Sequence, residues 1–154
     1  MIRLFALISC AFVTAAAAQE ADPLPLSDVW QADKTVIFDA NLIDIDELVW
    51  IARPVIVFAD SPNDPRFRQQ MDLLAERPEL LAERDVIIVT DTDPDARGDL
   101  RLRLRPRGFM LVLMGKDGEV ELRKPAPWDI REITRSIDKM PLRQQEIEDR
   151  RGLE

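Results

Sequence analysis

Three apolar runs constrain this chain more than any other feature: residues 53–59 (RPVIVFA), 84–91 (RDVIIVTD) and 109–115 (FMLVLMG). Each contains at least four consecutive apolar residues without alternation, which suits a strand covered on both faces. Pro54 is tolerable because it stands at the start of its run. Strands buried on both sides need helices on both sides, and the intervening segments can supply them.

Asp44 with Glu47 three residues on resembles a capping box, and Ile45, Leu48 and Val49 give one apolar stripe, so residues 44–51 read as a short helix. Residues 60–65 are a loop in which Asp64 caps a helix with Pro65 at its first position. Phe67, Met71 and Leu74 mark that helix's buried face, and Pro78 breaks it near Arg77. Residues 92–108 are mixed. Leu100 and Leu104 suit a helix that unwinds before Pro106, whereas Leu/Arg alternation over 100–105 suits a strand; the helix is the preferred reading.

Residues 35–38 (TVIF) read as a short strand, 116–118 as a Lys-Asp-Gly turn, and 119–123 as an edge strand covered on one face. Pro127 opens a helix with Ile130, Ile133 and Ile137 on its apolar stripe. Asp129 and Glu132 near its start and Lys139 near its end match the helix dipole. Residues 19–34, rich in Pro and Asp, read as an N-terminal arm, either a leader strand or a loose segment. Residues 35–140 form the domain, and Pro141 opens a polar helical tail over 141–154. The order β-α-β-α-β-α-β-β-α predicts an α/β fold: a mixed sheet with parallel strands first and a C-terminal hairpin plus helix, as in thioredoxin.

Residues 1–18 (MIRLFALISCAFVTAAAA) combine one Arg, a short apolar run and a small-residue site before Gln19, the pattern of a signal peptide. An uncleaved anchor and a lipidated Cys10 are weaker alternatives. The expectation is export to the periplasm or beyond, with no membrane insertion after cleavage. Cys10 is the chain's one cysteine and leaves with that segment; the chain has no His and no Tyr. Thiol chemistry, disulfides and imidazole bases or ligands are thereby excluded from the mature protein. A net charge of −8 argues against nucleic acid as a partner.

The strings RPVIVFADSPNDPRFRQQMDLL, LAERDVIIV, RGFMLVLMGKDGEVELR and SIDKMPLRQQE resemble the secreted thioredoxin-like family called domain of unknown function four-one-seven-four. A related domain occurs in animal extracellular sushi-repeat proteins. The resemblance spans roughly residues 48–147, and its most specific part is GKDG followed by IDKMPLRQQE. The motif residues are Arg84, Lys116, Asp117, Gly118, Asp138, Pro141, Arg143 and Glu146. The resemblance implies a thioredoxin-like topology and no established reaction. Pro62-Asn63-Asp64-Pro65 stands where thioredoxins carry Cys-x-x-Cys, and Pro106 lies too early to be their cis-proline. Peroxiredoxin or disulfide-exchange activity does not carry over.

Asp60, Asp64 and Asp91 fall at strand ends and helix caps, where a carboxylate cluster could bind a hard cation or serve a hydrolase. Ordinary strand-end turns and helix caps are the preferred reading of them. Residues 91–102 start like a calcium loop but carry Ala96 at its sixth position and Leu102 at its twelfth. Arg97, Arg101, Arg103, Arg105 and Arg107 would either hold an anion or pair locally. Ser61 has no base unless Lys116 reaches it. Lys116 and Asp117 read as a solvated hairpin tip or as a recognition surface. Asp138, Pro141, Arg143 and Glu146 read as a clasp against the domain or as a partner epitope. Trp30, Trp50 and Trp128 are expected to pack in or over the core, and a surface Trp would mark an interface.

The expectation is an exported, redox-inactive binding or scaffolding module with an unknown protein partner, no cofactor and no resident metal. The alternative is a carboxylate- or metal-dependent hydrolase using Asp60, Asp64 and Asp91. A structural envelope protein is a third reading.

Overall fold

A computed structural model describes residues 24–153; the signal-peptide reading of 1–18 and the start of the arm, 19–23, lie outside these described residues. The five strands are β1 (Ile37–Asp39), β2 (Arg53–Phe58), β3 (Val86–Asp91), β4 (Met110–Met114) and β5 (Val120–Lys124). They form one sheet in the order β1-β3-β2-β4-β5. β1 and β2 flank β3 in parallel, while β4 runs antiparallel to both β2 and β5. Parallel strands joined by helical crossovers, followed by a terminal hairpin, make this a thioredoxin-like fold, as the apolar runs predict.

All six residues of β2 are buried. Ile56 and Phe58 face one core, and Val55 and Val57 the other. Helix α1 (Leu26–Ala32) and α4 (Asp99–Leu104) cover the first face, through Leu26, Trp30, Leu100 and Leu104. Helices α2 (Pro65–Ala75), α3 (Pro78–Ala82) and α5 (Ile130–Ile137) cover the second. This two-sided cover is why the central strands show no alternation.

Local signals set most helix ends. The Asp64 carboxylate accepts the Arg66 N–H at 2.8 Å ahead of Pro65. Asp129 and Glu132 close a reciprocal capping box at α5. α4 is helical and ends at Arg105, which takes φ +50° ahead of Pro106.

Three expectations are corrected. Leu26–Ala32 of the supposed arm are helix α1, because Leu26 and Trp30, four residues apart, form an apolar pair and Trp30 is fully buried. The stretch 44–51 holds only a 3-10 turn, Ile45–Leu48, with Asp44 accepting the Asp46 N–H at 2.9 Å. Trp50 does not pack over the core: it is 67% exposed and has φ +67°. The polar tail is helix α6 (Pro141–Arg151), and it is docked on the domain through Arg143.

Candidate functional site

The two ends of the sheet differ sharply. At the carboxyl ends of β2 and β3, Asp91 is buried and grips Arg101, whose Nε and Nη2 donate to the carboxylate at 2.8–3.1 Å. The same Nη2 donates to the carbonyls of Ala59 and Asp91. Asp60 lies 3.7 Å from Arg101 and is largely exposed. Asp64 turns instead onto Arg66, whose hydrogen bonds hold its carboxyl below the usual range.

Asp60, Asp64 and Asp91 therefore do not form one acidic site. Arg101 supplies the charge a metal would have supplied to Asp91, and the acidic-hydrolase alternative finds no support in this geometry. Among the described residues no group of three or more acidic, His or Cys side chains could hold a metal ion. Of the other arginines, Arg103 pairs with Asp46 at 2.8 Å, while Arg97, Arg105 and Arg107 are exposed.

The motif residues gather at the opposite end, where β2 and β3 begin and β4 ends. Arg84 makes a two-pronged bond to Asp138, 2.9 Å on each oxygen, and donates to the Leu80 carbonyl. Lys116 bridges Asp85 at 2.8 Å and Glu146 at 2.9 Å. Arg53, with its side chain 1% exposed, donates to the same Glu146 oxygen at 2.9 Å and to the Arg84 carbonyl. Arg143 binds the other Glu146 oxygen at 3.2 Å. Lys34 completes the network on Asp85.

The expected solvated hairpin tip is thus half right. Gly118 takes φ +81° and Asp117 caps the turn by accepting the Glu119 N–H. Lys116, however, folds back under the tip, with its side chain only 13% exposed. Pro141 opens α6, and the Gln144 side chain bonds the Asp138 carbonyl. Ser61 and Lys116 sit beyond opposite ends of β2, roughly 20 Å of strand apart, so they form no dyad.

Burial pushes the Asp85 carboxyl up, but hydrogen bonds from Lys116 and Lys34 outweigh it and hold it below the usual range. Glu146 behaves alike, with burial opposed by Arg53 and Lys116. Both are therefore ionised at neutral pH, as partners of buried cations must be.

Beside this network lies a cleft of roughly 380 Å³, lined among others by Trp50, Arg53, Lys116, Met140 and Pro141. The Lys116 carbonyl accepts the Trp50 N–H at 2.6 Å, so the hairpin tip fixes the tryptophan's backbone. Asp117 and Glu121 add carboxylates to its rim.

Sequence reasoning missed Arg53, Asp85, Lys34 and Trp50 as parts of this site. One signal was present: an Arg opening a run buried on both faces needs a carboxylate partner. Nothing local identified Glu146, which is 93 residues away.

The model of a family described as Domain of unknown function (DUF4174) matches residues 44–146. That span contains every network residue except Lys34. No curated protein matches the chain. Among solved structures, reduced desulfothioredoxin from Desulfovibrio vulgaris Hildenborough, determined in solution, is similar at 17% identity and a TM-score of 0.47. The similarity covers 68% of this chain and 97% of that one.

Proposed function

The chain belongs to the family described as Domain of unknown function (DUF4174), and from that premise we propose that it works after export as a redox-inactive, thioredoxin-like binding module. It holds a protein partner at the cleft between the hairpin tip and the start of α6.

One observation carries the reading: Trp50 is two-thirds exposed at that cleft while its backbone sits at φ +67°. A left-handed conformation costs a non-glycine residue about 1–2 kcal/mol. An indole left in water forgoes burial of a large apolar surface. Neither helps the isolated domain, whereas tryptophan is among the residues most often central to protein interfaces. Lys116, Asp117 and Pro141 of the motif residues line the cleft around it.

The redox-inactive part rests on composition. No cysteine occurs between residues 24 and 153, and the loop after β2 reads Ser61-Pro62-Asn63-Asp64 ahead of α2. Among the described residues no helix is long and apolar enough to cross a membrane.

The test compares tagged wild type with Trp50→Ala, each produced with its leader, for partners recovered from the exported fraction. A partner retained by wild type and weakened at least tenfold by Trp50→Ala, with the melting temperature unchanged, supports the reading. Equal recovery by both overturns the Trp50 site, and insulin-disulfide reduction above background overturns the redox-inactive assignment.

A further inference from the structure

Glu146 is held in an unusual way. Three cations converge on its one carboxylate: Arg53 Nη2 and Lys116 Nζ on Oε1, each at 2.9 Å, and Arg143 Nη1 on Oε2 at 3.2 Å. Two of these cations, Arg53 and Lys116, belong to the body of the domain. The carboxylate itself arrives on α6. A carboxylate receptor therefore exists on the domain, and a helix of the same chain fills it.

α6 is a poor candidate for permanent attachment. Arg143 is the single buried residue among the described residues of α6, and the helix shows no continuous apolar stripe. Its hold on the domain comes from the charges of Arg143 and Glu146 and the Gln144 bond to the Asp138 carbonyl, with Leu142 and Ile147 only half-buried behind the buried N-cap Met140. The receptor also has a donor to spare: the Nε of Arg53 is buried without a hydrogen-bond partner. The adjoining cleft is lined by both Arg53 and Lys116, so a second chain can reach them beside Trp50.

We infer that Glu146 is a tethered self-ligand, and that the natural partner is an acidic segment. An Asp or Glu of that segment replaces Glu146 between Arg53 and Lys116 while an apolar neighbour covers Trp50. Charge complementarity selects this occupant, because Arg53 loses its carboxylate partner and Lys116 keeps only Asp85 whenever α6 leaves. The inference rests on the partner-binding reading of the same cleft.

The test uses the full chain and two probes. The first is a blocked hexapeptide of alternating Glu and Leu, compared with its Gln/Leu counterpart and followed by tryptophan fluorescence. Glu146→Gln removes the self-ligand's charge while keeping its shape. It is expected to bind the Glu peptide at least tenfold more tightly than wild type does, to ignore the Gln peptide, and to lose the gain when Lys116→Met is added. The second probe is acetate, added to Glu146→Gly. Its melting temperature should rise saturably with acetate and not with chloride at equal ionic strength. If Glu146→Gly does not fold, the Glu146→Gln comparison decides alone.

Equal affinities of wild type and Glu146→Gln for the Glu peptide overturn the inference, as does a chloride effect equal to that of acetate. Dimerisation of Glu146→Gln by exchange of α6 also overturns it, since a second copy would then be the ligand. Failure of the peptide test with Trp50-dependent partner capture intact sinks this inference alone. Loss of both removes the partner-binding reading too.

Discussion

Replacing Arg101 by Met tests the physical claim that the Asp91–Arg101 pair locks the carboxyl ends of β2 and β3. The Asp91 side chain is 1% exposed and that of Arg101 10% exposed. Arg101 satisfies the Asp91 carboxylate and also two main-chain carbonyls, those of Ala59 and Asp91. Met keeps much of the aliphatic stem and removes only the guanidinium. The change takes the paired cation from a buried carboxylate, which keeps only the Asp93 N–H, and removes a donor from the Ala59 carbonyl and from the Asp91 carbonyl, which keeps the Ala59 N–H, a loss of about 3–5 kcal/mol. For a domain of this size each kcal/mol moves the melting temperature by roughly 3–5 °C. Arg101→Met should therefore melt about 10–20 °C lower, with a reduced urea midpoint and an unchanged slope. The double variant Asp91→Leu/Arg101→Met should recover most of the loss, because apolar residues of similar size replace a buried pair at little net cost. A single-variant loss below about 1 kcal/mol, with no recovery in the double variant, would refute the reasoning.

Other expectations follow from the opposite end and from the second core. Asp85 and Glu146 both titrate below their ordinary values, so their contribution to stability is whole above about pH 4.5 and is lost as pH falls through the lowered folded values. Urea midpoints between pH 7 and 2 should show this loss, and Glu146→Gln should flatten it. Gly118→Ala should destabilise the domain by about 1 kcal/mol through its φ of +81°, since the nearest side-chain atom, Val49 Cγ2, leaves room at 3.4 Å; thermal melts will read it, and Gly118→Asn should cost less. Gln70 is fully buried and bonds both the N–H and the carbonyl of Trp128 at 2.8 Å. Gln70→Ala should cost about 2 kcal/mol and speed amide exchange at Trp128 specifically.

The fold was legible because burial on both faces writes itself into consecutive residues, as in Val55–Phe58 and Val86–Val89. Asp64-Pro65 was legible because capping acts within three residues, whereas Asp129 and Glu132 were read only as charges matching the helix dipole. The site was not, because its bonds join distant positions. Arg84 meets Asp138 54 residues on, and Lys116 meets Asp85 31 residues back. No periodicity records such pairings. The motif strings GKDG and IDKMPLRQQE pointed to the right residues without saying that Lys116 and Glu146 touch. The burial of Trp30 was expected, but the helix that carries it was hidden by the Pro- and Asp-rich composition around it. The exposure of Trp50 was hidden because nothing in the residues beside it marks its left-handed backbone.

The central claim is that the cleft at Trp50 holds a protein partner. A photo-crosslinking phenylalanine at position 50 tests it most directly, in cells that produce the protein, with position 102 on α4 as an exposed control outside the cleft. The account predicts one discrete adduct from position 50, absent at 102 and lost when Glu146 is kept but Lys116 is changed to Met. No adduct at position 50, or the same adduct from both positions, would contradict it.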